Sequence, residues 1–240
     1  MKKKIIGGVS AFLLCAGIPS FAYAQNNEAN NAAEDSYVST VNELVRLNPG
    51  STFEEMNSGI QETALSAGIS AQQIANEALQ EARISVNFAE DELRLSSGKK
   101  TLLPGGKGDI FYSPSSTGHV GIYYTNSIIV EAPGVGKKSH SAHRWNVKVN
   151  NGTEIMHVKT SQANRNKAAN RAFNSYRFRD YNMKGFAFNK TANGKMNCSQ
   201  LVWAAYKTTS GIDLDADGGH GVYPRDIKKS KWTQTYKTVR

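Results

Sequence analysis

The chain has 240 residues, 39% of them hydrophobic, which is enough for one domain with a real core plus an additional segment. Its formal net charge of +9 predicts affinity for polyanions such as a bacterial wall or membrane surface, although a solvated basic face is an alternative. The sequence has no run of interleaved aromatic and basic residues, which argues against nucleic acid as a partner.

The first 24 residues have the pattern of a secretory signal peptide. Three lysines are followed by an apolar stretch too short to span a bilayer, and then by Ala22-Tyr23-Ala24, a small-x-small cleavage pattern. Cys15 follows bulky residues, unlike the cysteine of a lipoprotein processing site. We therefore expect an exported protein, secreted or associated with the cell wall, that begins near Gln25 and has no transmembrane segment after cleavage.

Cleavage leaves one cysteine, Cys198, because Cys15 is lost with the leader. It also removes three lysines, which lowers the formal charge from +9 to +6. A single cysteine cannot form an internal disulfide, and a free thiol in an oxidising compartment is at risk unless it is buried or used. Cys198 is therefore either a small core residue or a nucleophile, and composition leaves both interpretations open.

Residues 25–98 are interpreted as a helical N-terminal segment. Residues 25–34 are polar and have nothing to bury, which predicts a disordered leader, and the apolar spacing after them is helical. Pro49-Gly50 predicts the end of a first helix. Ser51 with Glu54, and Ser70 with Gln73, resemble capping boxes and predict the starts of a second and a third helix. The segment carries no catalytic motif, which favours a packing or spacer role over a regulatory prosegment.

From Lys99 the pattern becomes rich in β-formers. "GDIFYS", "HVGIYYT" and "SIIVEAP" predict consecutive antiparallel strands, and Asn150-Asn151-Gly152 between "RWNVKV" and "EIMHVKT" predicts a hairpin. "NKAANRAFNSY" predicts a helix, a second helix begins near Cys198, and a loop-rich tail follows. Strands followed by helices predict an α+β domain over residues 99–240.

The environment predicted for Cys198 favours reactivity. Asn197 is a good N-cap residue, so Cys198 is expected in the first turn, where free backbone N–H groups and the helix dipole favour a thiolate. Those N–H groups are also suited to hold a tetrahedral oxyanion. Leu201, Val202 and Ala205 follow at helical spacing, so the sulfur is expected to point inward, toward the sheet.

His119 and Glu131 are the predicted partners of the thiol. If their two strands pair around the loop of residues 124–126, the two side chains lie directly opposite each other, with Cβ atoms about 5 Å apart. A carboxylate at that distance can orient an imidazole. The alternative is an ordinary His and Glu on a solvated sheet face.

Neither of two possible metal sites is favoured by the sequence. His140, His143 and His157 have no patterned partners, so we predict no metal site there. "DLDADG", residues 213–218, begins like a calcium loop, but Pro224 stands at the twelfth position, where a bidentate Glu is needed. A capped turn is therefore favoured over weak calcium binding.

The order His, Glu, Cys in "GDIFYSPSSTGHVGIYY", "IIVEAPG" and "NCSQLVWAAYK" resembles the circularly permuted papain-like amidases of the YiiX and YycO type. These are distant relatives of NlpC-type cell-wall hydrolases. The resemblance covers about residues 105–235, where "GIDLDADGG", "YPRDI" and Tyr181 also fit the pattern. Gln200, where many relatives carry Glu, and the segment before Lys99 depart from it.

The resemblance implies a permuted papain-like domain with an antiparallel sheet packed on helices and no cofactor. It implies that Cys198 is the nucleophile, His119 the base, Glu131 the orienting residue and Tyr181 a substrate-binding residue. The expected activity is that of a cysteine amidase or peptidase acting through a thioester on peptidoglycan peptides or acylated amino acids. An acyltransferase or lipid esterase with the same site, or a non-catalytic wall-binding module, remain as alternatives.

The signal sequence gives a direct prediction. Protein recovered from the culture medium should have the intact mass of a chain that begins near Gln25, because signal peptidase cuts after the small-x-small motif. Intact-protein mass spectrometry measures this. Mature protein that retains residues 1–24 would contradict the prediction.

Overall fold

The computed structural model describes residues 20–94, 98–182 and 186–240, and their side chains except those of residues 20–30 and 92–94. Most of the predicted signal peptide, residues 1–19, lies outside the described residues. The chain divides into two compact units, one that ends at Tyr37 and one that comprises Val38–Arg240.

The described residues form an α+β structure with antiparallel sheets, as predicted. The helices are α1 (Ser20–Leu47), α2 (Phe53–Ala67), α3 (Ala71–Arg94), α4 (Gln162–Ser175), α5 (Cys198–Ser210) and α6 (Pro224–Lys229). The strands are β1 (Lys99–Thr101), β2 (Ile110–Ser113), β3 (His119–Tyr123), β4 (Ile128–Glu131), β5 (His140–His143), β6 (Lys148–Asn150), β7 (Glu154–Val158) and β8 (Thr233–Thr238). None of the described helices has the length and hydropathy that a membrane crossing requires.

Two predictions for the N-terminal helices need correction. Residues 25–34 belong to α1 and are not a disordered leader; they contain neither Gly nor Pro to interrupt the helix. The cap of α2 lies one residue later than predicted, because Thr52 and Glu55 form the capping box. The predicted cap of α3 is confirmed, since the Ser70 hydroxyl accepts a hydrogen bond from the Gln73 N–H.

Six strands form one antiparallel sheet in the order β5-β4-β3-β2-β7-β8, while β1 and β6 form a separate ribbon. The predicted hairpin at residues 150–152 is therefore wrong, because β6 and β7 belong to different sheets. Asn150 and Thr153 both hydrogen-bond to the Ser113 hydroxyl at the end of β2, which anchors the turn between the sheets. The predicted loop-rich tail contains α6 and the edge strand β8.

The ribbon of β1 and β6 packs on one face of the six-stranded sheet. Its apolar side chains join residues of β2, β3, β4 and β7 in one buried cluster: Leu102, Phe111, Tyr123, Ile129, Val147, Val149, Ile155 and Val239. His119 lies on the same face as Tyr123 because side chains alternate along a strand. Its ring contacts that of Phe111, with centroids 5.6 Å apart. This packing brings the ribbon next to the start of β3.

The register between β3 and β4 differs from the prediction by two residues. Ile122 pairs with Val130, so Glu131 does not lie directly across from His119. The loop between the strands contains residues 124–127, and the Thr125 hydroxyl closes it by accepting hydrogen bonds from the N–H groups of Ser127 and Ile128. A shift of two residues preserves the face, because side chains alternate with a period of two. His119 and Glu131 therefore remain on one face, as diagonal neighbours.

Within Val38–Arg240, buried polar contacts join the helices before residue 98 to the loops around α5. The Asn48 side chain accepts a hydrogen bond from the backbone N–H of Phe186 at 3.0 Å. The Glu81 carboxylate accepts hydrogen bonds from the N–H groups of His220 and Gly221. Burial raises the pKa of Glu81 to about 8, and repulsion from Asp217 and Asp226 adds to this effect. The domain boundary at residue 98 stays a prediction, and these are the contacts that a chain beginning at Lys99 would lack.

Asn48→Ala is predicted to lower the free energy of unfolding by about 1–3 kcal/mol, because the buried N–H of Phe186 loses its acceptor. Urea denaturation monitored by circular dichroism measures the change. The control Asn170→Ala, on the exposed side of α4, should change it by no more than about 0.5 kcal/mol. Equal effects of the two substitutions would show that the Asn48 contact contributes nothing.

Candidate active site

Cys198 is the first residue of α5, as predicted, and only 3% of it is exposed. Asn197 caps the helix, since its side-chain oxygen accepts a hydrogen bond from the Gln200 N–H at 3.0 Å. Leu201, whose position predicted a buried face, is fully buried. The sulfur thus lies in the first turn, where backbone N–H groups have no partner inside the helix.

A buried network of side chains holds this helix start in position. Asn189 accepts a hydrogen bond from the Val222 N–H and donates to both the Val222 carbonyl and the Asn197 side chain. The Ser199 hydroxyl donates to the same carbonyl of Val222. All of these groups are buried, so breaking any one bond leaves an unpaired polar atom in the interior.

The contacts of the Gln200 side chain account for a glutamine at a position where many proteins of the resembled type carry Glu. Its side-chain oxygen accepts a hydrogen bond from the Asn182 amide at 2.8 Å, and its side-chain nitrogen donates to the Thr191 carbonyl at 3.0 Å. The residue is fully buried. A glutamate would set an acceptor against that carbonyl and bury a charge, so this environment requires an amide.

The structure brings the three predicted catalytic residues together. His119 Nε2 lies 2.6 Å from Glu131 Oε2, and the Cys198 thiol lies in the same cleft, close enough to His119 to influence its pKa. Since Glu131 occupies Nε2, Nδ1 is the ring nitrogen available to the sulfur. The side chains of His119 and Glu131 are 24% and 8% exposed, so this chain of contacts runs from the cleft into the interior.

His140 is a fourth member of this group that sequence reasoning missed. It lies directly across from Glu131 in the β4–β5 pairing, and its Nε2 is 3.5 Å from Glu131 Oε1. Each carboxylate oxygen therefore has its own histidine. The signal in the sequence was His140 in "SHSAH", the segment that follows the strand of Glu131. Its pairing register with that strand, however, depends on how residues 132–139 turn.

These contacts shift the pKa values of the group. Burial alone would lower the pKa of His119, but its interactions with Cys198 and Glu131 outweigh this effect and raise the pKa to about 10. Burial alone would raise the pKa of Glu131, but hydrogen bonds from His119 and His140 outweigh it and lower the pKa to about 2. The hydrogen bond to Glu131 raises the pKa of His140. The arrangement therefore favours an ionised carboxylate beside a protonated imidazole.

Cys198 and His119 line a cleft of about 350 Å³, together with Tyr181, the predicted substrate-binding residue. Burial raises the pKa of Tyr181, so its hydroxyl stays protonated. The cleft is also lined by residues of the β2–β3 loop, the segment after β4 and the ribbon: Ser113, Ser115, Ser116, Thr117, Gly118, Pro133, Gly134, Val135, Lys99, Lys148, Val149 and Asn150. Pro49 and Phe186 complete the lining.

The Asp-rich loop is a capped turn. The carboxylates of Asp213, Asp215 and Asp217 each accept a hydrogen bond from the N–H group two residues later. Each also has a basic partner: the pairs are Lys207 with Asp213, Lys190 with Asp215, and Arg225 with Asp217. The loop carboxylates that calcium would need are already neutralised.

Two other histidines and a cluster of carboxylates lie outside the lining of the cleft. His157 pairs with the buried Asp109 at 2.6 Å, and His143 stacks on Trp145. In the described part of the chain, Glu81, Asp217 and Asp226 are the one group of three candidate metal ligands, with oxygens within 4.8 Å of one another. Arg225 forms ion pairs with two of the three carboxylates.

Comparison with known proteins gives one informative match. The chain is 31% identical over 258 aligned positions to the "Uncharacterized protein YycO" of Bacillus subtilis (strain 168), an alignment that covers 100% of this chain and 99% of that protein. No family model and no solved structure matches the chain.

The pair of His119 and Glu131 is predicted to make stability depend on pH. The lowered pKa of Glu131 contributes stability above its usual value of 4.5, which is lost as the pH falls through about 2. The raised pKa of His119 contributes stability below its usual value of 6.5, which is lost as the pH rises through about 10. The difference in melting temperature between wild type and Glu131→Gln should therefore be largest from pH 4.5 to 6.5.

Thermal unfolding across this pH range measures the difference, which corresponds to about 1–3 kcal/mol at its maximum. Glu90→Gln is the matched control, because Glu90 is exposed. It should leave the melting temperature close to that of wild type at every pH. A Glu131→Gln deficit that does not vary with pH would contradict the ion pair.

Proposed function

The chain belongs to the YycO family, and we propose that its cleft is the active site of a secreted cysteine amidase or peptidase on a circularly permuted papain-like domain. The observation that carries the proposal is that Cys198, the first residue of a helix, shares one cleft with His119, and that Glu131 contacts the His119 ring at 2.6 Å. A thiol, a base and a group that orients the base are what nucleophilic catalysis by cysteine requires.

In the proposed reaction, the thiol proton has already passed to His119, and the Cys198 thiolate beside the imidazolium attacks the carbonyl carbon of the amide. The C–S bond forms as the carbonyl π electrons move to oxygen, and the N–H groups of the first turn of α5 stabilise the oxyanion. His119 then donates its proton to the leaving amine as the C–N bond breaks. Water, deprotonated by His119, attacks the thioester and releases the acid, and the thiol is regenerated.

Glu131 is proposed to orient the His119 ring and to stabilise it as an imidazolium. Its carboxylate is nearly excluded from solvent, so the attraction to the imidazolium is screened little by water. The neutral Tyr181 hydroxyl in the same cleft is proposed to hydrogen-bond to bound substrate.

The proposed substrate is an amide in a peptidoglycan peptide or an acylated amino acid. Support comes from the predicted signal peptide, which predicts export to the compartment of the cell wall, and from the net positive charge, which favours an anionic surface. The comparison gives no substrate, because the name of the relative states none.

Three substitutions should produce graded losses of turnover. Cys198→Ala should abolish turnover and thiol labelling, because no acyl-enzyme can form. His119→Ala should lower turnover about 10²–10⁴-fold, since proton transfer in both directions is lost. Glu131→Gln should cost less, because it keeps the shape and a hydrogen-bonding group while it removes the charge. Incubation of the mature protein with purified peptidoglycan and a panel of acylated amino acids, followed by mass spectrometry of the products, measures turnover.

The matched control is His157→Ala, which removes a histidine that also pairs with a carboxylate but lies away from the cleft. It should leave turnover unchanged, and circular dichroism should show all four variants folded. An active Cys198→Ala variant would refute the mechanism. A wild-type protein that cleaves no amide, with a thiol no more reactive than free cysteine, would instead be a binding module.

A further inference from the structure

Two lysines line the cleft from the β1–β6 ribbon. Lys99 and Lys148 are both exposed, and neither forms an ion pair with any described residue. No aspartate or glutamate lines the cleft within the described part of the chain. Some lysines outside the cleft do pair with carboxylates, as Lys138 does with Asp180 and Lys228 with Glu154. The cleft therefore carries an unbalanced positive charge.

Strand register puts both ammonium groups on one side of the ribbon. Lys99 pairs with Asn150, and Lys148 with Thr101, so Lys99 and Lys148 are diagonal neighbours on the same face. Two positive charges on one face raise the local positive potential, and no described carboxylate pairs with either lysine. An anion bound between them would be attracted by both ammonium groups.

The β2–β3 loop adds hydrogen-bond donors to the same cleft. Ser115, Ser116 and Thr117 bring hydroxyl groups on the β2–β3 loop. Hydroxyl groups together with lysines suit the oxygens of an anion. Cys198 and His119 line the same cleft, so one bound molecule can place an anionic group at the lysines and a carbonyl at the sulfur.

We propose that Lys99 and Lys148 form an anion subsite of the active site, and that the amide substrate carries a carboxylate that binds there. This rests on the proposed function for the identity of the substrate as an amide. A cleft lined by charge of one sign concentrates oppositely charged ligands, so the subsite favours acidic over neutral amides.

Two thiol reagents of nearly equal size test the subsite without a known substrate. Iodoacetate carries a carboxylate, whereas iodoacetamide is neutral; with either one the sulfur forms a bond to the CH₂ carbon as iodide leaves. The ratio of the two Cys198 labelling rates, iodoacetate over iodoacetamide, reports attraction of the carboxylate. Mass spectrometry of the mature protein over time measures both rates at low salt.

The double variant Lys99→Gln/Lys148→Gln should lower this ratio about threefold to tenfold, with little change in the iodoacetamide rate. Lys99→Arg/Lys148→Arg should keep the ratio, because it keeps the charge. The control Lys159→Gln/Lys167→Gln removes two exposed lysines outside the cleft, so it makes the same change in net charge and should also keep the ratio. His119 is present in every variant, so its charge cancels in the comparison.

Salt gives a second measurement that needs no variant. The wild-type ratio should fall as sodium chloride rises from about 0.02 to 0.5 M, because screening weakens the attraction. A wild-type ratio that does not change with salt would overturn the subsite. So would a control variant whose ratio is lowered as much as that of the Lys99→Gln/Lys148→Gln variant. So would a thiol that neither reagent labels, because a carboxylate would then not reach the sulfur. A protein that shows the ratio change but cleaves no amide would keep the subsite and refute the amidase.

Discussion

The burial of the Glu131 carboxylate is the constraint on which the candidate site depends. A carboxylate with 8% exposure at the end of β4 is tolerated only if its charge is paired and its oxygens are hydrogen-bonded. The two neighbouring strands supply one histidine each, so one oxygen faces His119 and the other faces His140. Three adjacent strands thus meet at one charge, and that charge holds His119 beside the sulfur.

The position of Cys198 depends on a different set of contacts, because the sulfur belongs to a helix and its partners to the sheet. Asn197 ends the preceding loop by capping α5, and Asn189 links that cap to the backbone of Val222. Each bond satisfies a polar group that is buried from water, so the loop and the helix start have little freedom to separate. The first turn of the helix therefore meets the start of β3, where His119 lies, in one defined arrangement.

The cleft draws its lining from parts of the chain that are far apart in sequence. The ribbon contributes basic side chains, the β2–β3 loop contributes hydroxyl groups, and Tyr181 comes from the loop that leads to α5. The ribbon lies beside the site because its inner side chains bury apolar surface against the sheet. The packing that stabilises this face of the sheet thus also determines which charges surround the thiol.

The sequence by itself determined the local features of this protein: the α+β class, the Asn197 cap, the inward face of α5 and the face shared by His119 and Glu131. Caps and alternating patterns act within a few residues, so they can be read from one segment. The tertiary structure alone decided the register of β3 with β4, the separation of β6 from β7 and the contact of His140 with Glu131. The Thr125 hydroxyl closes the β3–β4 loop, and the Ser113 hydroxyl holds the turn between β6 and β7. His140 lies across from Glu131 because of the way the chain turns between β4 and β5. The pairing between strands depends on the geometry of these turns and on which apolar side chains become buried against the rest of the fold. Neither is specified by a single segment of the sequence.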